Sequence, residues 1–167
     1  MMKKILILYD SISGNTQRMA EEVAVGAEEV DGVEVVIKSV DEARPQDLLE
    51  YDGIVVGSPT HCGVLSWKLK KFFDDSTKVA WGKVKGKIAT AFTTSGGLGG
   101  GNEATLFSII SILMNYGYLV FGMPDYSGPG VTGHYGAVAV GKPKDLELEM
   151  CKLLGKQLAL YVKAINY

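Results

Sequence analysis

Cysteine and histidine are scarce: the 167 residues hold two of each, Cys62, Cys151, His61 and His134. The cysteines lie far apart, with no Cys-x-x-Cys and no Cys/His metal spacing. That argues against a disulfide framework or a zinc site, and for a reduced, cytoplasmic setting. Charge of one sign is scarce as well. The net charge is −2, with both signs scattered along the chain, so neither a broad basic face for nucleic acid nor a polybasic membrane patch is expected. No apolar stretch approaches the roughly 20 residues of a membrane span. The opening MMKKILILYD sets two lysines before an apolar run, as a secretory signal would. That run is short and lacks a small-residue cleavage site, so it reads as a first strand. Internal repeats, linkers and low-complexity tracts are also missing.

What is present is ordinary for a soluble globular chain: 47% apolar and 22% charged residues, in a length that suits one domain with a sizeable core. Residues 3–9, 33–38, 53–58 and 87–94 are short apolar runs bounded by turn residues, the pattern of strands buried on both faces of a parallel sheet. Helical spacing joins Met19, Val23, Ala27 and Val30, then Leu65, Leu69, Phe72 and Phe73, then Leu106, Ile110, Leu113 and Met114. A last helix carries Leu146, Met150, Leu154, Leu158, Tyr161 and Ile165. Trp67 falls inside a helical run and reads as core. A fifth strand is split between 118–122 and 135–140 by a Gly/Pro-rich stretch, either as one interrupted strand or as a strand and a small satellite. Strand followed by helix, repeated, predicts an α/β fold: a three-layer doubly wound parallel sheet of five strands with right-handed crossovers.

In such a sheet a ligand sits at the carboxyl ends of the strands. Three loops there are rich in glycine and small polar residues: DSISGNT after the first strand, SPTHCGVLS after the third and TSGGLGGGNE after the fourth. In the first, Ser11, Ser13 and Thr16 bring hydroxyls, Gly14 permits a tight or positive-φ turn, and the helix that begins at once turns its free N–H groups into the loop. That makes an anion site without a lysine. Ser13 or Asn15 could instead merely cap the helix, but a cap needs one such residue and the turn offers several. No Gly-x-x-x-x-Gly-Lys-Ser/Thr occurs, and the sole Gly-x-Gly-x-x-Gly, GPGVTG at 128–133, opens no helix and contains Pro129, so it reads as an ordinary loop. In the second loop Pro59 stiffens the exit from the strand and Gly63 allows close backbone approach to a flat ligand edged by His61 and Cys62. In the third, Gly96, Gly97, Gly99, Gly100 and Gly101 cost too much chain entropy to be filler, and bring backbone amides toward a ring edge.

These three loops, in this order and spacing, resemble those of the flavodoxin-like superfamily. GSPTHCGVLSWKLKKFFD followed by AFTTSGGLGGGNEATLFSIISILMNYGYLVFG is similar to the WrbA-type NAD(P)H:quinone oxidoreductases, over nearly the whole chain. The resemblance implies a single flavodoxin-like FMN-binding domain over residues 1–167 with strand order 2-1-3-4-5. The phosphate of FMN would rest on Ser11, Ser13, Gly14, Asn15 and Thr16. Its ring would lie between Pro59, Thr60, His61, Cys62 and Gly63 on one side and Thr94, Ser95, Gly96, Gly97 and Leu98 on the other. Third-loop amides would stabilise the negative charge of the reduced ring.

Some features depart from that family. The first loop is nearer the short-chain flavodoxin form, the third is one residue longer, and Asn115, Tyr116 and Gly117 stand where His-His-Gly is usual. Trp81 is out of register with the family's active-site tryptophan, and the chain is shorter than its norm.

The flavin carries the redox chemistry, so no protein acid, base or nucleophile is required; His61, Tyr116 and His134 are the candidates for a direct part. The function implied is an FMN-dependent oxidoreductase that takes hydride from NADH or NADPH and reduces a quinone or similar acceptor. The alternative is a flavodoxin-type single-electron carrier. The modest net charge and the His61–Cys62 pair in place of flanking Trp and Tyr favour the enzyme. A homodimer or homotetramer is the assembly the resemblance brings with it. From other classes, a phosphoacceptor receiver would need an aspartate at the end of the third strand, where Gly57, Ser58 and Pro59 stand although Asp10 is in place; a binding module holding FMN only for structure is a further alternative.

Overall fold

The computed structural model describes residues 2–124 and 126–165, without the side chains of 126 and 127. A parallel sheet runs through β1 (Lys3–Tyr9), β2 (Val33–Ser39), β3 (Gly53–Pro59) and β4 (Ile88–Ser95) in the order β2-β1-β3-β4. The fifth position beside β4 is shared by two segments, β5 (Leu119–Val120) and β8 (Ala137–Val140). The order is thus 2-1-3-4-5, the doubly wound arrangement expected, and the fifth strand is the interrupted one.

The interruption has a local cause. β5 pairs with Ile88 and Ala89, while β8 pairs with Phe92 to Ser95. Between these pairings the Thr90 hydroxyl donates to the Phe121 carbonyl at 3.0 Å. The chain leaves the sheet there and returns at Gly136, which packs against the Ala91 carbonyl so closely that a Cβ would overlap it. The excursion carries an antiparallel pair, β6 (Tyr126–Gly128) and β7 (Val131–Thr132). GPGVTG is therefore part of a hairpin rather than a plain loop.

Alternation along β1 and β3 divides the core. Ile5, Ile7 and Val55 meet α1 (Asn15–Glu28) and α5 (Asp145–Ala164) on one face. Leu6, Leu8, Ile54 and Val56 meet α3 (Trp67–Ala80) and α4 (Asn102–Tyr116) on the other. A one-turn helix, α2 (Asp47–Glu50), precedes β3. α1 and α5 touch backbone to backbone: a Cβ on Gly26 would overlap the Lys152 carbonyl, and one on Gly155 the Val23 carbonyl.

Two sequence expectations are corrected. Trp67 is 67% exposed, because it is the first residue of α3 and its side chain leaves the apolar stripe of Leu69, Phe72 and Phe73. On α4 the buried stripe is Leu106, Ile109, Leu113 and Tyr116, whereas Met114 faces outward. Isoleucines at 109, 110 and 112 make that helix apolar nearly all round, so spacing alone does not choose the face.

Candidate functional site

The loops after β1, β3 and β4 converge at the carboxyl end of the sheet. In the first, Gly14 occupies the N-cap of α1 at φ 84, and no side chain caps the helix. Ser13 and Asn15 are therefore not spent on capping. The Ser11 hydroxyl accepts from the Gly14 N–H at 3.1 Å and holds the turn. No acidic residue stands in the first turn of α1, so the positive end of its dipole is unopposed. Thr16 is buried and shares a hydrogen bond with the Thr94 hydroxyl at 2.9 Å, tying the first loop to the end of β4.

The second loop is a two-residue hairpin. His61 and Val64 exchange backbone hydrogen bonds of 2.8 and 3.1 Å around Cys62 and Gly63, both at positive φ (48 and 85). This is the mirror-image turn type that needs left-handed backbone at both central positions. A ladder of hydroxyls supports it from below. The Ser58 Oγ accepts from the Ser66 N–H at 2.8 Å and donates to the Pro59 carbonyl at 2.7 Å. Thr105 Oγ1 donates to Thr60 Oγ1 at 2.9 Å, Thr93 Oγ1 donates to the Ser58 carbonyl at 2.8 Å, and the Ser108 Oγ accepts from the Leu65 N–H at 3.1 Å. Of these residues sequence reading named only Thr60, as a flank of the ring, and missed Ser58, Ser66, Thr93, Thr105 and Ser108; the available signal was the run of small hydroxyl side chains inside otherwise apolar β3, β4 and α4.

The glycines of the third loop divide into two kinds. Gly96, Gly97 and Gly99 face open space, with nothing within 4 Å of where a Cβ would stand. Gly100 and Gly101 are packing glycines: a Cβ on Gly100 would lie 2.8 Å from the Gly97 carbonyl, and one on Gly101 3.2 Å from Gly63 Cα. The second and third loops therefore meet at Gly63 and Gly101. Thr94 and Ser95 are buried at the end of β4, and Leu98 is 96% exposed.

The structure brings together Ser11, Ser13, Gly14, Asn15 and Thr16 at the α1 N-terminus, and Pro59 to Gly63 opposite Thr94 to Leu98. Tyr116 is not among them. It ends α4 at the amino end of the sheet, buried against Phe73 and Trp81 with its hydroxyl donating to the Phe73 carbonyl, and burial raises its pKa to about 12. It is a packing residue, because α4 runs away from the loops. His134 lies in the excursion, with Nδ1 3.0 Å from the Met123 carbonyl, and lines a cavity with Leu98 and Asn102. Of the cysteines, Cys62 is exposed in the hairpin and Cys151 is buried in α5, its thiol pKa pushed up by that burial. Among the described residues no group of His, Cys, Asp and Glu could hold a metal ion, and no helix is long and apolar enough to cross a membrane.

Sheet order, glycine-lined loops and an uncapped helix start at the strand ends define an α/β protein of flavodoxin-like fold. The flavodoxin family model matches residues 7–140, and the chain belongs to that family. It is 53% identical over 162 residues to a flavodoxin of Aquifex aeolicus, covering 96% of this chain and 88% of the relative. It is 36% identical to an NAD(P)H dehydrogenase (quinone) of Archaeoglobus fulgidus, covering 95% and 96% of the two chains. Among solved structures, a flavodoxin, WrbA-like protein from Agrobacterium tumefaciens superposes with TM-score 0.80 at 28% identity, over 98% of this chain and 99% of that one.

The group this family implies is FMN, and the residues fit it. The α1 N-terminus has neither a side-chain cap nor a carboxylate, and Gly14, Gly63, Gly96 and Gly97 border open space. A phosphate and a flat ring edge are what such surfaces accommodate.

Proposed function

We propose that this protein is an FMN-dependent oxidoreductase that passes reducing equivalents from NADH or NADPH to a quinone or similar small acceptor. The observation that carries the flavin reading is the α1 N-terminus, uncapped and free of acidic residues in its first turn, facing glycines with open space beside them. The hydroxyls of Ser11, Ser13 and Thr16, with the amides around Gly14 and Asn15, bind the phosphate. Pro59 to Gly63 and Thr94 to Leu98 flank the ring. The flavin, when bound, supplies hydride acceptance and donation. The protein orients it, excludes water and offers third-loop N–H groups to negative charge developing on the reduced ring.

Two features support a small-molecule acceptor. His61 and Leu98, rather than large aromatic side chains, stand in the two loops that flank the ring. Beside His61 and Cys62 lies a largely apolar hollow of about 750 Å³, lined also by Val64, Leu65, Trp67 and Lys70, suited to a flat aromatic molecule. The quinone dehydrogenase relative at 36% identity agrees with this reading. A second reading, a single-electron carrier, is favoured by the relative at 53% identity, which is a flavodoxin.

Steady-state oxidation of NADH and NADPH with a benzoquinone acceptor, beside photoreduction of the FMN-loaded protein, separates the two. Turnover with reduction in one two-electron step is expected. Negligible turnover with both donors, together with reduction in two separate one-electron steps, would overturn the enzyme in favour of the carrier. Failure to retain FMN at all would overturn both.

A further inference from the structure

The even overall charge hides a local bias. Between Asp75 and Glu103 the chain has no acidic residue, yet Lys78, Lys83, Lys85 and Lys87 stand there close together. They lie where α3 passes to β4, at the amino end of the sheet and opposite the three loops. Lys87 is tied into the fold, its ammonium donating to the Leu48, Leu49 and Tyr51 carbonyls. Lys78 lies in the last turn of α3, where the helix end by itself accounts for a cation. Lys83 and Lys85 lie beyond the helix and need another reason. Val84 between them is fully buried and both lysines are exposed. The turn is held by the Lys83 N–H on the Ala80 carbonyl at 3.0 Å and the Gly86 N–H on the Gly117 carbonyl at 2.8 Å. Lys68, Lys70 and Lys71, at the other end of α3, each face an aspartate; among the described residues Lys78, Lys83 and Lys85 have no ion pair.

Apolar side chains stand among these cations. Trp81, Met114 and Leu119 are each more than half exposed. Trp81 leans edge-on against Tyr116, ring centroids 5.1 Å apart, which holds one side of the indole and leaves the rest in water. The Met114 carbonyl accepts from the Gly117 N–H at 3.0 Å, a Cβ on Gly117 would lie 3.3 Å from Lys85 Cα, and the Leu119 N–H donates to the Lys87 carbonyl at 2.9 Å. All three apolar side chains therefore belong to the end of the sheet that carries the lysines. Unpaired cations suit an anionic partner, and an exposed Trp, Met and Leu suit one with an apolar layer just beneath its charge. An acidic peptide meets the first requirement and not the second. Separate protrusions from the ends of α3 and α4 and from β5 also suit a flat surface better than an extended segment, which is gripped in a groove.

We propose that Trp81, Lys83 and Lys85, with Lys78, Met114 and Leu119 around them, dock the protein peripherally on an anionic lipid surface. Docking at this end leaves the three loops facing water, open to a dissolved donor. It needs no flavin, and its test is independent of the redox reading.

Co-sedimentation of the full-length protein with vesicles of phosphatidylcholine alone, or of phosphatidylcholine and phosphatidylglycerol in equal parts, tests this. Each lysine near an anionic surface contributes about fivefold, so binding to the mixed vesicles should be saturable and at least tenfold stronger than to the neutral ones, and should weaken steeply with salt. K83Q/K85Q alters exposed side chains only, so it should fold as the parent does and lose at least tenfold in affinity. K142Q/K144Q makes the same change of charge on exposed lysines at the loop end of the sheet and should bind as the parent does. Trp67 and Trp81 are the two tryptophans, so in W67F the emission reports Trp81 and should shift to the blue on binding. Equal binding to both kinds of vesicle would overturn the proposal, as would no binding at millimolar lipid, equal losses in the two double variants, an unaffected K83Q/K85Q or an unshifted Trp81 emission. Tighter binding of polyglutamate than of mixed vesicles would give the patch to an acidic protein and overturn the lipid assignment.

Discussion

Replacing Gly101 by alanine should damage the flavin site more than the fold. Gly101 stands at φ 99 at the N-cap of α4, and its Cβ would lie 3.2 Å from Gly63 Cα and 3.3 Å from the Gly63 carbonyl oxygen. Left-handed backbone costs an alanine about 1–2 kcal/mol, and over-packing at a tight contact adds about 1 kcal/mol or more. The total is about 2–3 kcal/mol. The hairpin is held at its base, but its tip at Cys62 and the third loop from Gly96 to Gly100 are exposed, so the free protein is expected to relieve the contact by moving the third loop away from Gly63. Flavin binding must then bring that loop back, and the cost appears in affinity. At about 1.4 kcal/mol per tenfold, FMN should bind about 30- to 150-fold more weakly to G101A. Titration by quenching of FMN fluorescence reads the affinity, and thermal melting of the flavin-free protein reads the fold. An affinity within twofold of the parent would refute the claim that the meeting of Gly63 and Gly101 shapes the site. A melting temperature lowered in proportion, with unchanged affinity, would place the contact in the fold alone.

Gly96→Ala should leave the melting temperature of the flavin-free protein unchanged, since nothing lies within 4 Å of the added carbon, yet weaken FMN binding; unchanged binding would remove Gly96 from the site. Gly155→Ala drives a Cβ into the Val23 carbonyl and should destabilise by about 3 kcal/mol or more, lowering the melting temperature by about 6–12 °C. Ser58→Ala leaves the buried Ser66 N–H without the partner it has at 2.8 Å and should cost about 1–3 kcal/mol, read by urea unfolding. Alkaline pH should destabilise the protein: Tyr116 keeps its proton up to about 12 when folded but gives it up near 10.0 when unfolded. The unfolded state is thus favoured as pH rises through that window, by up to about 3 kcal/mol. Tyr116→Phe should flatten the slope, with a remainder from Tyr9 and Tyr51, whose pKa values burial also raises.

Much of the site was legible in the sequence because it is built from backbone. SISGNT, SPTHCG and TSGGLGGG each advertise a turn that small residues alone can make, and strand ends bring such turns together. The ladder through Ser58, Thr60, Thr93 and Thr105 was not legible: a buried hydroxyl in a strand, such as that of Thr93, looks the same whether it fills space or bonds to a residue 35 positions away. Trp67 was misread for a related reason. Its position relative to the α3 stripe depends on where the helix begins, and that start is set by Ser66 anchored to Ser58 at the end of β3.

Local pattern thus determined the alternation of strands and helices, the two-faced core and the three loops, because periodicity and turn chemistry act over a few residues. Only the tertiary structure decided which glycines face open space and which hold loops together, and that the α1 N-terminus is left uncapped. Those depend on what lies opposite, and what lies opposite comes from segments brought near by the packing of the sheet.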